Sequence, residues 1–276
     1  MIRAFEVKRC LAVMLFAVIA VAAAAPVSAE ETWSDGKWHF TVTPYLWFPD
    51  VSGTVTYNNV AGSSASVSAQ VDPSSYLQSL DFGAMFTAEG RKDNWLVFTD
   101  YIYLHLGGDE SAVKSVTGPG GFVTVPVNVG GATTLVSNIW TLAGGYNVVH
   151  KPEVSLDLFG GTRLLNLSHS LSWNFSGPTG ALAQAGNTSE TINKWDGIVG
   201  LKGEVRFGES KWFMPYYGDI GAGSSNSTWQ AMLGLGYRFG WGDLVFVVRS
   251  LSYNFTDSSQ LDLRMTGPAL GASFRF

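Results

Sequence analysis

Hydrophobic and polar residues alternate over stretches of about ten residues along most of this chain. Between Trp229 and Phe239 one face carries Trp229, Ala231, Leu233, Leu235, Tyr237 and Phe239, and the other Gln230, Met232, Gly234, Gly236 and Arg238. Between Trp195 and Phe207 one face is Trp195, Gly197, Val199, Leu201, Gly203, Val205 and Phe207, and the opposite face is Asp196, Ile198, Gly200, Lys202, Glu204 and Arg206. A period of two means β-strand, because successive side chains point to opposite faces. In both stretches aromatics bracket the apolar face, as they do where a strand crosses a bilayer and its ends lie at the two interfaces. Further candidate strands are 39–48, 82–91, 95–106, 134–148, 154–167, 212–222, 244–253 and 263–276, which makes about ten. The pattern predicts an all-β fold, a closed antiparallel transmembrane β-barrel of about ten strands, with eight and twelve as the alternatives.

The connections alternate in length. Those at 92–94, 150–153, 208–211 and 240–243 are short, whereas 49–81, 107–133, 168–194, 223–228 and 254–262 are mostly longer and rich in Gly, Ser, Thr and Asn. Short periplasmic turns and long outer loops are the barrel pattern, and they put both termini on the periplasmic side. Within the first long connection, 51–57 and 66–71 read as a hairpin standing above the membrane. The stretch 72–80 then opens like a helix, with Asp72 as N-cap and Pro73 in the first turn. If the hairpin crossed the membrane, the count would be twelve. The last strand alternates Leu270, Ala272, Phe274 and Phe276 outward and ends on an aromatic, which resembles the C-terminal strand of outer-membrane proteins. Pro268 cannot donate to a ladder, so a bulge is expected there, inverting the pattern at Leu263 and Met265.

The N-terminus sets the compartment. Arg3, Lys8 and Arg9 precede an apolar stretch of 15 residues, 11–25, and Val27-Ser28-Ala29 then offers small residues before a cleavage point at Glu30. This reads as a signal peptide, 1–29, followed by a barrel domain, 30–276. The one cysteine, Cys10, leaves with the peptide, which excludes disulfides, thiolate metal sites and cysteine nucleophiles. Losing Arg3, Lys8, Arg9 and Glu6 removes a net charge of two from −5 and leaves −7, against nucleic-acid binding. Charged residues make up only 14% of the chain, below the roughly 25% of soluble domains. No run after Ala29 is long enough for a membrane helix.

Orienting each strand by its apolar face sends Glu89, Asp100, Asp157, Arg163, Asp196, Lys202, Glu204, Arg206, Asp219, Arg238 and Arg249 inward. An Arg or Lys facing hydrocarbon would cost about 2–4 kcal/mol at the midplane, so energy and period agree. Both signs occur in similar numbers, and a barrel of about this size has little room, so a largely filled, ion-paired lumen is expected rather than an open charged conduit. The glycines Gly200, Gly234 and Gly236 are expected to make space for the inward Arg side chains. Trp38, Trp95, Trp195, Phe207, Trp212, Trp229, Tyr237, Phe239, Trp241 and Phe276 are the candidate membrane-interface aromatics.

Catalytic chemistry finds little support. His39, His105, His150 and His169 show no HxH or HExxH spacing, so zinc is unsupported and no metal or other cofactor is expected. Ser168 and Ser170 adjoin His169, but neighbours on a strand face opposite ways and do not make a dyad. Asp109, Glu110 and Glu190 are scattered carboxylates. Gly118-Pro119-Gly120-Gly121 and Gly130-Gly131 lack a Walker lysine and read as loop. No catalytic residue is assigned, and the chain is not expected to be an enzyme.

The chain also resembles a family of proteobacterial outer-membrane β-barrel proteins, small and porin-like, with no assigned activity. The resemblance rests on Trp38-His-Phe-Thr-Val-Thr-Pro-Tyr-Leu-Trp47, Gly53-Thr54-Val55, Leu80-Asp-Phe-Gly83, Glu89, Asp100-Tyr-Ile-Tyr-Leu104 and Gly144-Gly-Tyr146. It continues in Trp195-Asp196, Leu233-Gly-Leu-Gly-Tyr-Arg-Phe239, Met265-Thr-Gly-Pro268 and Phe274-Arg-Phe276. It implies an outer-membrane location and the barrel fold, and it brings no active site. The expectation is a monomeric outer-membrane barrel with a structural or small-solute role. Its partners would be outer-membrane lipid, lipopolysaccharide and, during biogenesis, periplasmic chaperones and the barrel-assembly machinery. The alternatives are a surface-binding protein using 49–81, 107–133 and 168–194, and an outer-leaflet lipid-modifying enzyme.

Overall fold

The structure is a computed structural model that describes residues 35–58, 64–71, 73–76, 80–110, 116–117, 124–125, 130–175, 184–255 and 260–276. The expected signal peptide at 1–29, and Asp72 with 77–79 of the expected helix, lie outside the described residues. The chain forms β1 (His39–Trp47), β2 (Asp50–Asn58), β3 (Ser64–Val71), one helical turn α1 (Pro73–Tyr76), β4 (Leu80–Lys92) and β5 (Trp95–Glu110). Then come β6 (Val116–Thr117), β7 (Thr124–Val125), β8 (Gly130–His150), β9 (Val154–Phe175), β10 (Gln184–Arg206), β11 (Trp212–Gly223), β12 (Ser227–Arg238), β13 (Asp243–Phe255) and β14 (Gln260–Arg275).

Ten of these strands close a ring. The order β1-β4-β5-β8-β9-β10-β11-β12-β13-β14 returns to β1 through the β1–β14 ladder, from Thr41↔Arg275 to Trp47↔Ala269. Every pair is antiparallel, and closure satisfies the backbone groups that an open sheet edge would leave unpaired. Tight turns join the strands at one end. Lys92 pairs with Trp95, so Asp93 and Asn94 make a two-residue hairpin, with Asp93 at φ 50°. That left-handed conformation is what the right-handed twist of a two-residue hairpin needs, and Asp tolerates it.

The β2–β3 hairpin does not cross, so the ring holds ten strands and not twelve. β2 pairs with the far end of β14, from Thr266↔Asp50 outward, and β1 pairs with the near end, from Ala269↔Trp47 inward. Phe48 and Pro49 are the break between them. This also corrects the expectation of a bulge at Pro268. The β13–β14 ladder runs through Val248↔Pro268 without a shift. Phe48 N donates to the Pro268 carbonyl, at 2.9 Å, at the point where the neighbouring strand is interrupted, so the missing donor of Pro268 falls where no ladder asks for one. Alternation along β14 is therefore kept. Leu263 and Met265 point inward and join the core.

The strands β8, β9 and β10 are 21, 22 and 23 residues long, beyond the expected 134–148, 154–167 and 195–207. Much of what reads as loop at 168–194 is ladder, paired out to Gln184↔Phe175. A polar strand with both edges paired is stable when its neighbours extend with it, although its composition resembles a loop.

The core lies inside the ring. Trp47, Ile102, Ile139, Leu165, Leu251, Tyr253, Phe255 and Met265 form one buried cluster, and Leu96, Phe98, Ala143, Phe159, Ile198 and Tyr217 form another. Large apolar side chains remain exposed on the outside, among them Val199 at 60%, Ile220 at 67%, Leu233 at 54% and Phe246 at 50%. A water-soluble protein inverts this arrangement, because contiguous exposed apolar surface is costly in water.

Candidate functional site: the charged lumen and its vestibule

Three groups of charge project into the lumen. Farthest from the tight turns, Arg163 on β9 meets Asp219 on β11 in a bidentate pair, Nη1 donating at 3.0 Å and Nη2 closer still. Arg163 also donates to Thr141 Oγ1 at 3.2 Å, and Tyr217 donates to Asp219 at 2.5 Å. Neither charge retains exposed surface. Asp196 stands nearby and accepts from the Ser225 backbone N–H at 2.8 Å and hydroxyl at 2.7 Å, which holds the β11–β12 turn.

The middle group centres on Arg249. Its Nη2 donates to Asp100 at 2.6 Å and to Gln230 at 2.8 Å, and its Nη1 donates to the Tyr45 hydroxyl at 2.9 Å. Tyr45 in turn donates to Asp100 at 2.6 Å, closing a triangle. The guanidinium also lies over Trp47, 4.8 Å from the ring centroid. Tyr45 and Trp47 come from β1, Asp100 from β5, Gln230 from β12 and Arg249 from β13, so the group ties four strands across the barrel.

The third group rings the end near the tight turns. Glu89 meets Arg91 and Lys202, and Arg91 reaches Asp157, which also accepts from Asn147 at 2.7 Å. Glu204 meets Arg206 at 2.7 Å and Arg238 at 3.4 Å; Asp243 meets Arg238 at 3.4 Å and Arg275 closer. Here the lumen opens into a cavity of about 580 Å³, lined from Asp93 in the β4–β5 turn and Phe276 at the chain end up to Tyr217, Met232 and Arg249. Farther from the tight turns than Arg249 lie Ile102, Ile139, Leu165 and Leu251 of the first cluster and the Arg163–Asp219 pair.

Tyr45, Trp47, Arg91, Asp243 and Arg275 belong to this network but were not singled out from the sequence. Arg91 and Arg275 share the parity of Glu89 and Ser273, and so were within reach of the same alternation rule. They sit at strand ends, where a chain is easily read as turn. Asp243 reads as turn and is instead the first residue of β13. The glycines do not act as expected. A side chain at Gly236 would collide with the Phe213 ring, one at Gly200 with Phe159 and the Gly218 backbone, and one at Gly234 with the Phe246 backbone. They admit aromatic rings and close strand packing, not arginines.

On the outer face, Trp38, Trp95, Phe207, Trp212, Tyr237, Phe239, Trp241 and Phe276 lie towards the tight turns, and Trp195 and Trp229 towards the long connections. Trp212 packs on Tyr237 with centroids at 4.9 Å, Tyr237 on Phe239 at 4.7 Å, and Phe239 on Trp241 at 5.6 Å. From Trp195 to Phe207, 12 steps at about 3.4 Å and a tilt of about 40° span about 31 Å along the axis, close to a bilayer's hydrocarbon core.

Among the described residues, no three His, Cys, Asp or Glu side chains gather as metal ligands. His39 bonds Asp35 at 3.0 Å on the surface. Ser168 meets Thr191 at 3.1 Å. Glu190 pairs with His169 in the β9–β10 backbone register.

No family model matches the chain, and no curated protein matches it. Solved structures do. The outer membrane protease OmpT from Escherichia coli superposes with a TM-score of 0.51 at 8% identity, over 91% of this chain and 100% of that one. The translocator domain of the autotransporter NalP from Neisseria meningitidis gives 0.39 at 16% identity, over 98% of each chain. The attachment invasion locus protein Ail of Yersinia pestis gives 0.30 at 12%, over 87% of this chain and 98% of that one. At such identity the likeness to OmpT is one of fold and carries no activity across. This chain has the closed antiparallel barrel fold of bacterial outer-membrane proteins.

Proposed function

We propose that the chain is an integral outer-membrane protein: a monomeric barrel whose lumen is sealed by packed side chains and ion pairs. In this reading it has a structural or small-solute role at its periplasmic end and no enzymatic activity. The observation that carries this is the inverted distribution of polarity. Leu233, Val199 and Ile220 are exposed outside, while Arg163 and Arg249 are buried inside at 0% and 2% exposure. Hydrocarbon suits the first set, and cross-lumen pairing suits the second. The resemblance of the Trp38–Trp47 and Phe274–Phe276 motifs to the proteobacterial barrel family supports the same reading. So do the signal-peptide pattern at 1–29 and the aromatics at both ends of β10 and β12. Lipid and lipopolysaccharide would then surround the barrel, and periplasmic chaperones and the barrel-assembly machinery would deliver it.

The length of β8, β9 and β10 favours a second reading, which builds on the first. About ten residues cross a bilayer, so the far halves of these strands would stand clear of it and offer a rigid surface to a ligand or another cell. An epitope inserted at 176–183 and another at Gly208-Glu209 test the topology. On intact Gram-negative cells an antibody reaches the first and not the second. Labelling of both, or recovery of the protein away from the outer-membrane fraction, would contradict the proposal.

A further inference from the structure

β1 and β4 separate while both are still within the apolar band. Their ladder runs from His39↔Arg91 to Pro44↔Phe86 and stops there. β4 goes on to Leu80 with β5 alone, and β1 goes on to Trp47 with β14 alone. Continued, the register would set Tyr45 opposite Met85 and Trp47 opposite Gly83, and neither pair forms. The Trp47 backbone N–H donates instead to Met85 Sδ, at 3.3 Å. Leu46, beside the gap, is in register with Leu270, and Leu270 with Phe246, both exposed on the outer face. Farther out the chain is laddered again, where β2 meets β3 from Val51↔Val71. The wall therefore carries a seam, with residues 45–47 on one side and 80–85 on the other.

We infer that this seam is a side door, through which a small uncharged apolar molecule passes between the cavity at the tight-turn end and the surrounding lipid. The inference rests on the outer-membrane reading above and names a solute class for it. The energetics favour this place. Among the described residues, the other neighbours in the ring are laddered across the apolar band. Parting them would leave backbone groups unpaired in hydrocarbon, which is costly. At the seam there is no ladder to break, and the Trp47 N–H loses only a thioether sulfur, a weak acceptor.

Position and chemistry agree with it. Tyr45, the first residue of β1 past the ladder, lines the cavity, and so does Ala269, which pairs with Trp47. The cavity thus reaches the wall where the seam begins. Tyr45 and Met85 pack against the cluster that holds Trp47, so side chains alone close the door. The volume of about 580 Å³ falls in the range of small-molecule sites, about 300–1,000 Å³. Charge in the cavity is matched: Asp35 meets His39, Glu89 Lys202, Asp100 Arg249, Glu204 Arg238 and Asp243 Arg275, while Asp93 accepts from the Gly36 backbone N–H. An ion would find no unmatched partner there and hydrocarbon beyond the door. An uncharged body finds Phe98, Met232, Val247 and Ala269 on one side and lipid on the other.

The test uses the mature protein, refolded in lipid nanodiscs, with 1-fluoronaphthalene as the probe. Fluorine NMR should show a resonance, absent from empty nanodiscs, that saturates as probe is added. Saturation transfer should connect it to the probe dissolved in the bilayer. Leu46→Cys with Ala84→Cys places thiols on either side of the seam. Oxidation should staple it and abolish the transfer, and reduction should restore it. Leu235→Cys with Phe246→Cys, the same staple across the laddered β12–β13 pair, should leave the transfer unchanged. Met85→Ala should speed exchange about tenfold or more, given what a packed methionine side chain contributes. Absence of a saturable resonance, transfer that outlasts the closed staple, or equal loss with the control staple overturns the inference. Where the staple does not close, an unchanged rate in Met85→Ala does so. The epitope map tests the membrane reading separately, so a correctly placed barrel that fails here sinks this inference alone.

Discussion

Arg163 and Asp219 are the clearest case of one residue depending on another. Both lose all contact with solvent, and what compensates is the two-pronged pair plus donors and acceptors from Thr141 and Tyr217. Removing one partner of such a pair leaves a lone charge in the interior, which costs about 3–5 kcal/mol. Arg163→Met should lower stability by about that much in urea unfolding of the refolded protein. Arg163→Met with Asp219→Leu should cost clearly less than Arg163→Met alone. A single variant as stable as the parent would mean that the pair is solvated. Gly236 makes the steric counterpart. Gly236→Leu should fail to fold because Phe213 occupies its space, and Gly236→Ala with Phe213→Leu should restore the folded, heat-modifiable band. At this scale alternation says which face a residue shares, and that is enough to set Arg163 and Asp219 on one side of their strands. It does not say which partner lies across the barrel. Arg249 meeting Asp100, 149 positions away, is a product of closure and shear.

The strands themselves divide into a legible half and a hidden half. Where one face is apolar and the other polar, as in β12, the period identifies the strand and its orientation. Leu233→Arg, on the outward face, should therefore cost about 2–4 kcal/mol in lipid-reconstituted unfolding, well beyond Leu233→Ala. Equal costs would place that face away from hydrocarbon. The far ends of β9 and β10 carry no such signature, because residues such as Asn187, Thr188 and Ser189 are polar on both faces. Their ladder is imposed by the neighbouring strands and not by side-chain preference. Pro268 sits without a bulge for a related reason. Its effect depends on the partner strand, which happens to break at Phe48 and Pro49.

For the molecule as a whole, the ring of ten follows from the count of alternating segments and the rhythm of short and long connections. The apolar share of the inward face does not. Ile102, Ile139, Leu165 and Leu251 stand on the inward face among the charges and form a buried cluster there, where a simple polar-inside rule would not put them. Single-channel conductance of the refolded mature protein in a planar bilayer, with a heat-modifiability gel to show that the barrel has formed, tests the sealed interior most directly. The packing of Arg249 and the core above it predicts a folded barrel that stays silent. Discrete current steps recurring across preparations would contradict it.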